Sequence, residues 1–348
     1  MSHLVKQGYL HTRRGSTGRV SQRRRSRWHT TPASATAMAT GGSPRVVILG
    51  GGVEELGVDI GYRKVTTASV TAGAAKPRKA PIAHNAPSWL DGNIAGYREL
   101  ATVNDDTTAQ VHPHKLTSAL MAAATQLGAG LRIGCVQGLE VSEDGRVQGV
   151  RVDGDVIPAD VVVVAMGPWS SQAARWFSRP VPVTGQRYHS IVLKPSLPIS
   201  AHCLFLSYRS KSGQVKDPEV YPRPDGTVYV CGEAGRPMQG KGIPDIPSDL
   251  PVDPDACSSL QGVATSISSS LNEVMQSQAC CLPLSSDDLP MIGPVPGVEG
   301  AYIATGHGCW GILNGPLTGK LIAELIVHGA AQSLDISHFD PARLMSQL

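Results

Sequence analysis

Long hydrophobic runs are missing from this sequence: the longest, such as residues 161–166, fall far below the ~20 apolar residues a spanning helix needs. No membrane span is therefore expected. The seven cysteines, at 135, 203, 231, 257, 280, 281 and 309, are odd in number and contain no C-x-x-C pair and no His at zinc-ligand spacing. Neither a zinc site nor a disulfide framework is indicated, a reducing compartment is the simpler reading, and the adjacent Cys280 and Cys281 are poorly placed to bridge each other. No stripe of Lys and Arg interleaved with aromatics follows Arg45, which argues against a nucleic-acid groove. A nucleophile elbow with Ser, His and Asp partners is absent, as are paired carboxylates, so hydrolase classes fall away.

Charge is sparse as well, at 17% of residues, whereas 38 Gly and 26 Pro point to many turns and short strands. With 348 residues and 41% hydrophobic content the chain is long enough for one large α/β unit or two joined domains. Acids are missing altogether from residues 1–44, which hold eight Lys or Arg, so the rest of the chain is net acidic (−5 against a whole-chain +3). A basic, hydroxyl-rich, acid-free leader matches an organellar transit peptide, which would send the protein to a mitochondrion or plastid. A basic arm for anionic surfaces is the alternative. If translation begins at Met38 there is no such signal, and a cytoplasmic location is expected.

Residues 45–49 form a β-branched run feeding Gly50-Gly51-Gly52, the way the first strand and phosphate turn of a dinucleotide fold begin. The fingerprint G-x-G-x-x-G then needs a third glycine to pack the helix on the strand, and Glu55 stands there instead. An acid about 20 residues on should bind the ribose hydroxyls, yet no Asp or Glu occurs between Gly61 and Leu90. A stretch of βαβ size, about 30 residues or more, is missing. Residues 62–70 read as a strand, 71–106 as loop anchored by Trp89, and 114–127 as a helix. Strands follow near 131–136 and 139–142, then a turn at 143–145 and a partner strand at 147–152. Residues 156–166 read as one buried parallel strand ending in Gly167-Pro168-Trp169. The stretch 181–235 alternates like antiparallel strands, most clearly at 190–194, 203–208 and 227–231; 253–275 resembles a covering helix.

The most specific segment is the strand 300–305, which ends in Thr-Gly-His-Gly and opens a helix over 311–328. Such a junction aims free backbone N–H groups and a positive dipole end at whatever docks there, which suits an edge that becomes negative on reduction. His307 either polarises a bound group or hydrogen-bonds locally. Arg223 and Arg187 are candidates to clamp a carboxylate, with a turn role open for Arg223 in its Pro-Arg-Pro-Asp-Gly hairpin. Tyr208 and Tyr221 read as sheet residues or pocket walls. His112-Pro113-His114 is taken as a helix entry, and no metal site is expected.

Five segments together resemble a known family: 46–52, 109–113 (Ala-Gln-Val-His-Pro), 164–169 (Val-Ala-Met-Gly-Pro-Trp), 221–226 (Tyr-Pro-Arg-Pro-Asp-Gly) and 289–312. They are similar to the FAD-dependent oxidoreductases grouped with D-amino-acid oxidase, glycine oxidase and sarcosine oxidase, and closest to a branch of oxidoreductases found in fungi, plants and algae. The resemblance implies a mixed α/β fold in which a Rossmann-like FAD-binding domain is interleaved with a β-rich substrate domain. The expected division is a leader at 1–44, FAD-binding parts at 45–180 and 251–348, and the substrate sheet at 181–250. It also implies FAD as cofactor and oxidation of a C–N bond in a small amine or amino acid by hydride transfer to flavin N5. Carried onto this chain, Gly50, Gly51 and Gly52 would face the pyrophosphate, Val136 the adenine, and Ala165 and Gly167 the dinucleotide. Gly306, Gly308, Gly311 and Ile312 would border the flavin ring, with His307 and Arg223 as catalytic candidates. Cys281 lies at a spacing like that of the flavin-linking cysteine of sarcosine oxidase-like enzymes, with an inert core thiol as the alternative. Two other readings compete: a non-catalytic remnant used as a binding or trafficking module, and a nicotinamide dehydrogenase, against which the 305–312 motif speaks.

Overall fold

The computed structural model describes residues 59–73, 85–105, 107–238, 242–244 and 249–346. The leader at 1–44, the strand expected at 45–49 and the turn Gly50-Gly51-Gly52 lie outside the described residues. In chain order the elements are β1 (Arg63–Lys64), β2 (Thr66–Gly73), β3 (Ile94–Ala101), β4 (Ala109–Gln110), α1 (Pro113–Gln126), β5 (Val136–Val141), β6 (Val147–Val152), β7 (Asp155–Pro158), β8 (Val162–Val164) and α2 (Ala174–Phe177). They continue with β9 (Val183–Lys194), β10 (His202–Arg209), β11 (Val215–Lys216), β12 (Glu219–Pro222), β13 (Val228–Met238), α3 (Pro254–Ile267), β14 (Glu273–Ser285), β15 (Met291–Pro294), β16 (Ala301–Thr305), α4 (Gly311–His328) and α5 (Ala342–Met345).

The large sheet runs β14-β9-β13-β12-β10-β2-β3, with β11 paired to β10. It takes strands from 66–101 and 273–285 as well as from the alternating middle of the chain. Only the β10–β2 pair within it is parallel, His202 lying opposite Thr66 and Arg209 opposite Gly73. Side chains alternate across a strand, so register partners share a face. One face presents Ala68, Val70, Ile191, Leu193, Leu204, Leu206, Val220, Val228 and Val230, all buried. Helix α3 covers that face, because its Cys257, Leu260, Val263, Ala264 and Ile267 fall on one helical stripe. Asp253 starts the helix by accepting from the N–H groups of Asp255 and Ala256, with Pro254 in the first turn.

A second core joins the small sheet β15-β16-β8, in which β8 runs parallel to β16, to Val147, Phe177 and Met345. Strands β5, β6 and β7 form a separate meander. In both sheets of this half the sequence reading needs correction. The apolar stretch 156–166 is two strands: β7 is exposed and turns back on β6 through Asp153-Gly154, both at positive φ as a tight hairpin requires, and only β8 enters the parallel sheet. Residues 131–135 form no strand, and Leu131 and Ile133 stand 62% and 85% exposed, their alternation without a pairing partner among the described residues.

Two further expectations fail elsewhere. The supposed loop 71–106 contains β3, paired antiparallel with β2, although Trp89 is the expected anchor, buried and donating from Nε1 to Ser200 Oγ at 3.0 Å. The covering helix stops at Ile267, where Ser268 turns to extended backbone, and 273–285 is a long edge strand instead.

The C-terminal segment is pinned beside β15. Arg343 grips Asp287 through Nε at 2.7 Å and also donates from Nη2 to the carbonyls of Leu289 and Pro290 at 2.8 and 3.0 Å. The hydrogen bond from Arg343, above all, holds the Asp287 carboxyl down at about 2. Its folded value lies below the unfolded one, so this contribution is complete above the ordinary carboxylate range and lost as pH falls toward 2. The urea midpoint is therefore expected to drop between pH 4 and pH 2. Arg343→Ala should flatten that limb while lowering the midpoint at pH 7, and an unchanged acid limb in the variant would count against the assignment.

Candidate functional site

The ends of the two parallel strands β8 and β16 meet at one point. Thr305, the last residue of β16, donates from Oγ1 to the carbonyl of Gly167 at 2.9 Å. Beyond Thr305 the chain turns through Gly306 (φ 83°) and Gly308 (φ 56°), a left-handed excursion that side chains disfavour, and enters α4 at Gly311. Gly167 has φ 53°, and a Cβ built on it would meet nothing within 4 Å, so its outer side is open. A Cβ on Gly308 would stand 3.3 Å from Leu284 Cδ2. No side chain caps the start of α4 and no acid lies in its first turn, and a 3-10 turn at Gly308–Trp310 leads directly into it. Trp310, Ile312 and Leu313 beside it are exposed.

Of the residues expected to border a flavin, the fold thus assembles Gly167, Gly306, Gly308, Gly311 and Ile312 at one junction, with Ala165 two residues before Gly167. These groups fit the pyrimidine edge of a flavin ring: glycine surfaces that admit a flat ligand, and the positive end of a helix where negative charge develops. Val136 stands elsewhere, as the first residue of β5 opposite Val152. Residues Gly50, Gly51 and Gly52 fall outside the described residues.

His307 is turned into α4, its Nε2 2.9 Å from Thr318 Oγ1, and burial lowers its pKa. That hydrogen bond ties the turn to the helix. Arg223 sits at the far hairpin of the sheet, its guanidinium 4.8 Å above the Tyr229 ring, where with Arg63, Leu197, Pro198 and Thr227 it lines a cleft of about 420 Å³. Arg187 shares its side of β9 with core residues and donates to Pro251 O at 3.4 Å. Cys281 pairs with Arg187 in the sheet, beside Gly185, while the neighbouring Cys280 pairs with Tyr188 on the opposite face. Tyr208 belongs to the apolar core.

The face of the large sheet away from α3 was not singled out from sequence, apart from Tyr221. Register places Phe205, Glu219, Tyr221, Tyr229, Cys231 and Ser190 on it, with Tyr188 and Cys280 continuing it. Tyr221 makes an edge contact with Phe205 at 6.3 Å and donates to Glu219 Oε2 at 2.6 Å. Burial raises the pKa of Glu219, Tyr221, Tyr229 and Cys231. Cys309, in the turn into α4, lies within charge–charge range of both Tyr188 and Glu219. The one signal in the sequence was an acid alternating with a tyrosine, Glu219-x-Tyr221, inside a short apolar strand.

Glycine turns at the ends of parallel strands stand at the start of α4, beside a large mixed sheet. The chain belongs to the FAD dependent oxidoreductase family, whose model matches residues 52–325. It is 32% identical over 275 residues to the TDA3 protein of Saccharomyces cerevisiae, covering 68% of this chain and 51% of that protein. The match to glycine oxidase of Pseudomonas putida is 30% over 236 residues, 67% of this chain and 60% of the enzyme. The chain thus spans about half the length of its yeast relative. Among solved structures, glycine oxidase from Geobacillus kaustophilus superposes with a TM-score of 0.64 at 20% identity, covering 82% of this chain and 78% of that one. Iminodiacetate oxidase from Chelativorans gives 0.65 at 21% identity, covering 83% and 80%.

Proposed function

We propose that this chain oxidises the C–N bond of a small amine or amino acid. FAD, when bound, would accept the hydride at N5. The observation that carries the reading is the junction of Gly167 with the Gly306–Gly311 turn, beside the large mixed sheet. Gly167, Gly306 and Gly308 would admit the ring, and the positive end of α4 would hold its negative edge. The bond from Thr305 to Gly167 fixes the two strand ends to each other, and that from His307 to Thr318 fixes the turn to its helix. Tyr188, Tyr221 and Tyr229 would form one wall around the substrate and limit water. Support comes also from the names of the relatives, which include glycine oxidase and iminodiacetate oxidase.

A remnant that keeps the scaffold as a binding module is the second reading, favoured by Glu55 in the third glycine position and by the acid-free stretch after Gly61. One experiment separates the two. The full chain is incubated with FAD, freed of unbound cofactor, and its visible spectrum recorded before and after anaerobic addition of amines and amino acids. A retained flavin band that bleaches with one of them is the expected result. Colourless protein after reconstitution would overturn the oxidoreductase reading for this chain.

A further inference from the structure

The sheet face away from α3 holds an acid with no counter-charge. Glu219 Oε2 accepts from Tyr221 at 2.6 Å and from the Cys231 thiol at 3.9 Å, while Oε1 has no hydrogen bond and no ion pair among the described residues. The nearby cations are committed elsewhere: Lys216 to Glu233 and Ser259, Arg223 to the face of Tyr229 at the end of the hairpin, and Arg187 to the other side of the sheet. Desolvation of the carboxylate pushes its pKa up, and no positive group among the described residues offsets that. Glu219 is half-buried, and a carboxylate partly withdrawn from water is stabilised when a cation pairs with it. Beside it stand Phe205 and Tyr221, aromatic surfaces that also attract cations.

We propose that Glu219 receives the ammonium group of the substrate, and that the site therefore selects cationic amines over ligands anchored by a carboxylate. The inference rests on reading the site as amine-oxidising, and it replaces the carboxylate clamp expected of Arg223 and Arg187 with a cation site of opposite sign. Glu219 holds one end of the substrate, Tyr221 orients the carboxylate by its hydrogen bond to Oε2, and Oε1 stays free for the incoming N–H donor.

The test is calorimetric titration of the purified full chain with n-butylammonium chloride and, separately, with sodium butyrate. It is repeated on Glu219→Gln and Glu219→Asp, with the visible flavin spectrum of each protein recorded alongside. Butylammonium is expected to bind the unmodified chain more tightly than butyrate does. Glu219→Gln should weaken it about tenfold or more, as loss of a charge-assisted bond requires, and Glu219→Asp should restore most of that. Butyrate binding as tightly as butylammonium, absence of butylammonium binding, or a Glu219→Gln affinity within about twofold of the unmodified chain would each overturn the proposal. The spectrum keeps the two readings apart: a colourless protein that still binds butylammonium through Glu219 removes the oxidoreductase reading alone. Should Glu219→Gln fail to fold, the ammonium-against-carboxylate contrast and the aspartate variant still decide.

Discussion

Gly306→Val is expected to purify without flavin under conditions in which the unmodified chain is expected to retain it. The position lies at φ 83°, where a β-branched residue is strained, and an added Cβ would stand 3.4 Å from Ser285 Cβ. Relief of that strain rotates the turn out of the left-handed region and carries the positive end of α4 away from the ring edge it is to meet. The expected loss is at least about tenfold in FAD affinity, equivalent to ~1.4 kcal/mol, which is within the cost of one forced left-handed residue. Gly262→Ala serves as the control, since a Cβ there meets nothing within 4 Å and the residue lies in α3. If Gly306→Val keeps full flavin content by absorbance, the junction is not where the ring is held.

A larger effect, on stability rather than on cofactor affinity, is expected of Gly92→Ala. The turn at 91–93 closes the C-terminal end of α3: Gly92 N donates to Ile267 O at 2.9 Å, Asn93 N to Ser266 O at 2.7 Å, and Asp91 accepts from Ser269 N at 2.8 Å. Those are carbonyls the helix itself cannot satisfy. A Cβ on Gly92 would run into the Ser266 carbonyl oxygen and stand 2.7 Å from the Ile267 carbonyl carbon. Backbone cannot step aside as a flexible side chain can, so either the turn lifts off or the helix end shifts. Loss of about 3 kcal/mol is expected, read as a fall in Tm of roughly 6 °C or more. A Tm within about 1 °C of the unmodified chain would show that the turn does not hold the helix end.

Much of the site's frame was legible in the sequence because it rests on local signals. The strand over 301–305, the glycine turn and the helix over 311–328 stand where the pattern put them. The same holds for α1 and for the hairpin through Glu143-Asp144-Gly145. What escaped depends on partners distant in the chain. Residues 94–101 (Ile-Ala-Gly-Tyr-Arg-Glu-Leu-Ala) carry too much charge and too little alternation to announce a strand, and pairing with β2 makes them one. Residues 131–135 show the converse, alternation without a partner strand among the described residues. At 268–285 Leu271 and Val274 extended the helical spacing, but Ser268 had already left the helix. Arg223 drew attention by its charge, yet it stands at the hairpin end of β12 and β13 against the Tyr229 ring, and the acid farther along β12 passed as an ordinary strand residue.

The order of strands in the large sheet also governs how the chain can assemble. Residues 66–73 are to lie beside residues 202–209, and residues 183–194 wait for the edge strand at 273–285. Neither pairing can form until most of the polypeptide has been made, so during synthesis Ala68, Val70 and Ala72 remain uncovered for longer than the rest of the sheet's apolar face. Folding dominated by such non-local pairings is slow and exposes strand edges to other nascent chains. This protein is accordingly expected to depend on chaperones during biogenesis far more than its compact C-terminal helices would require.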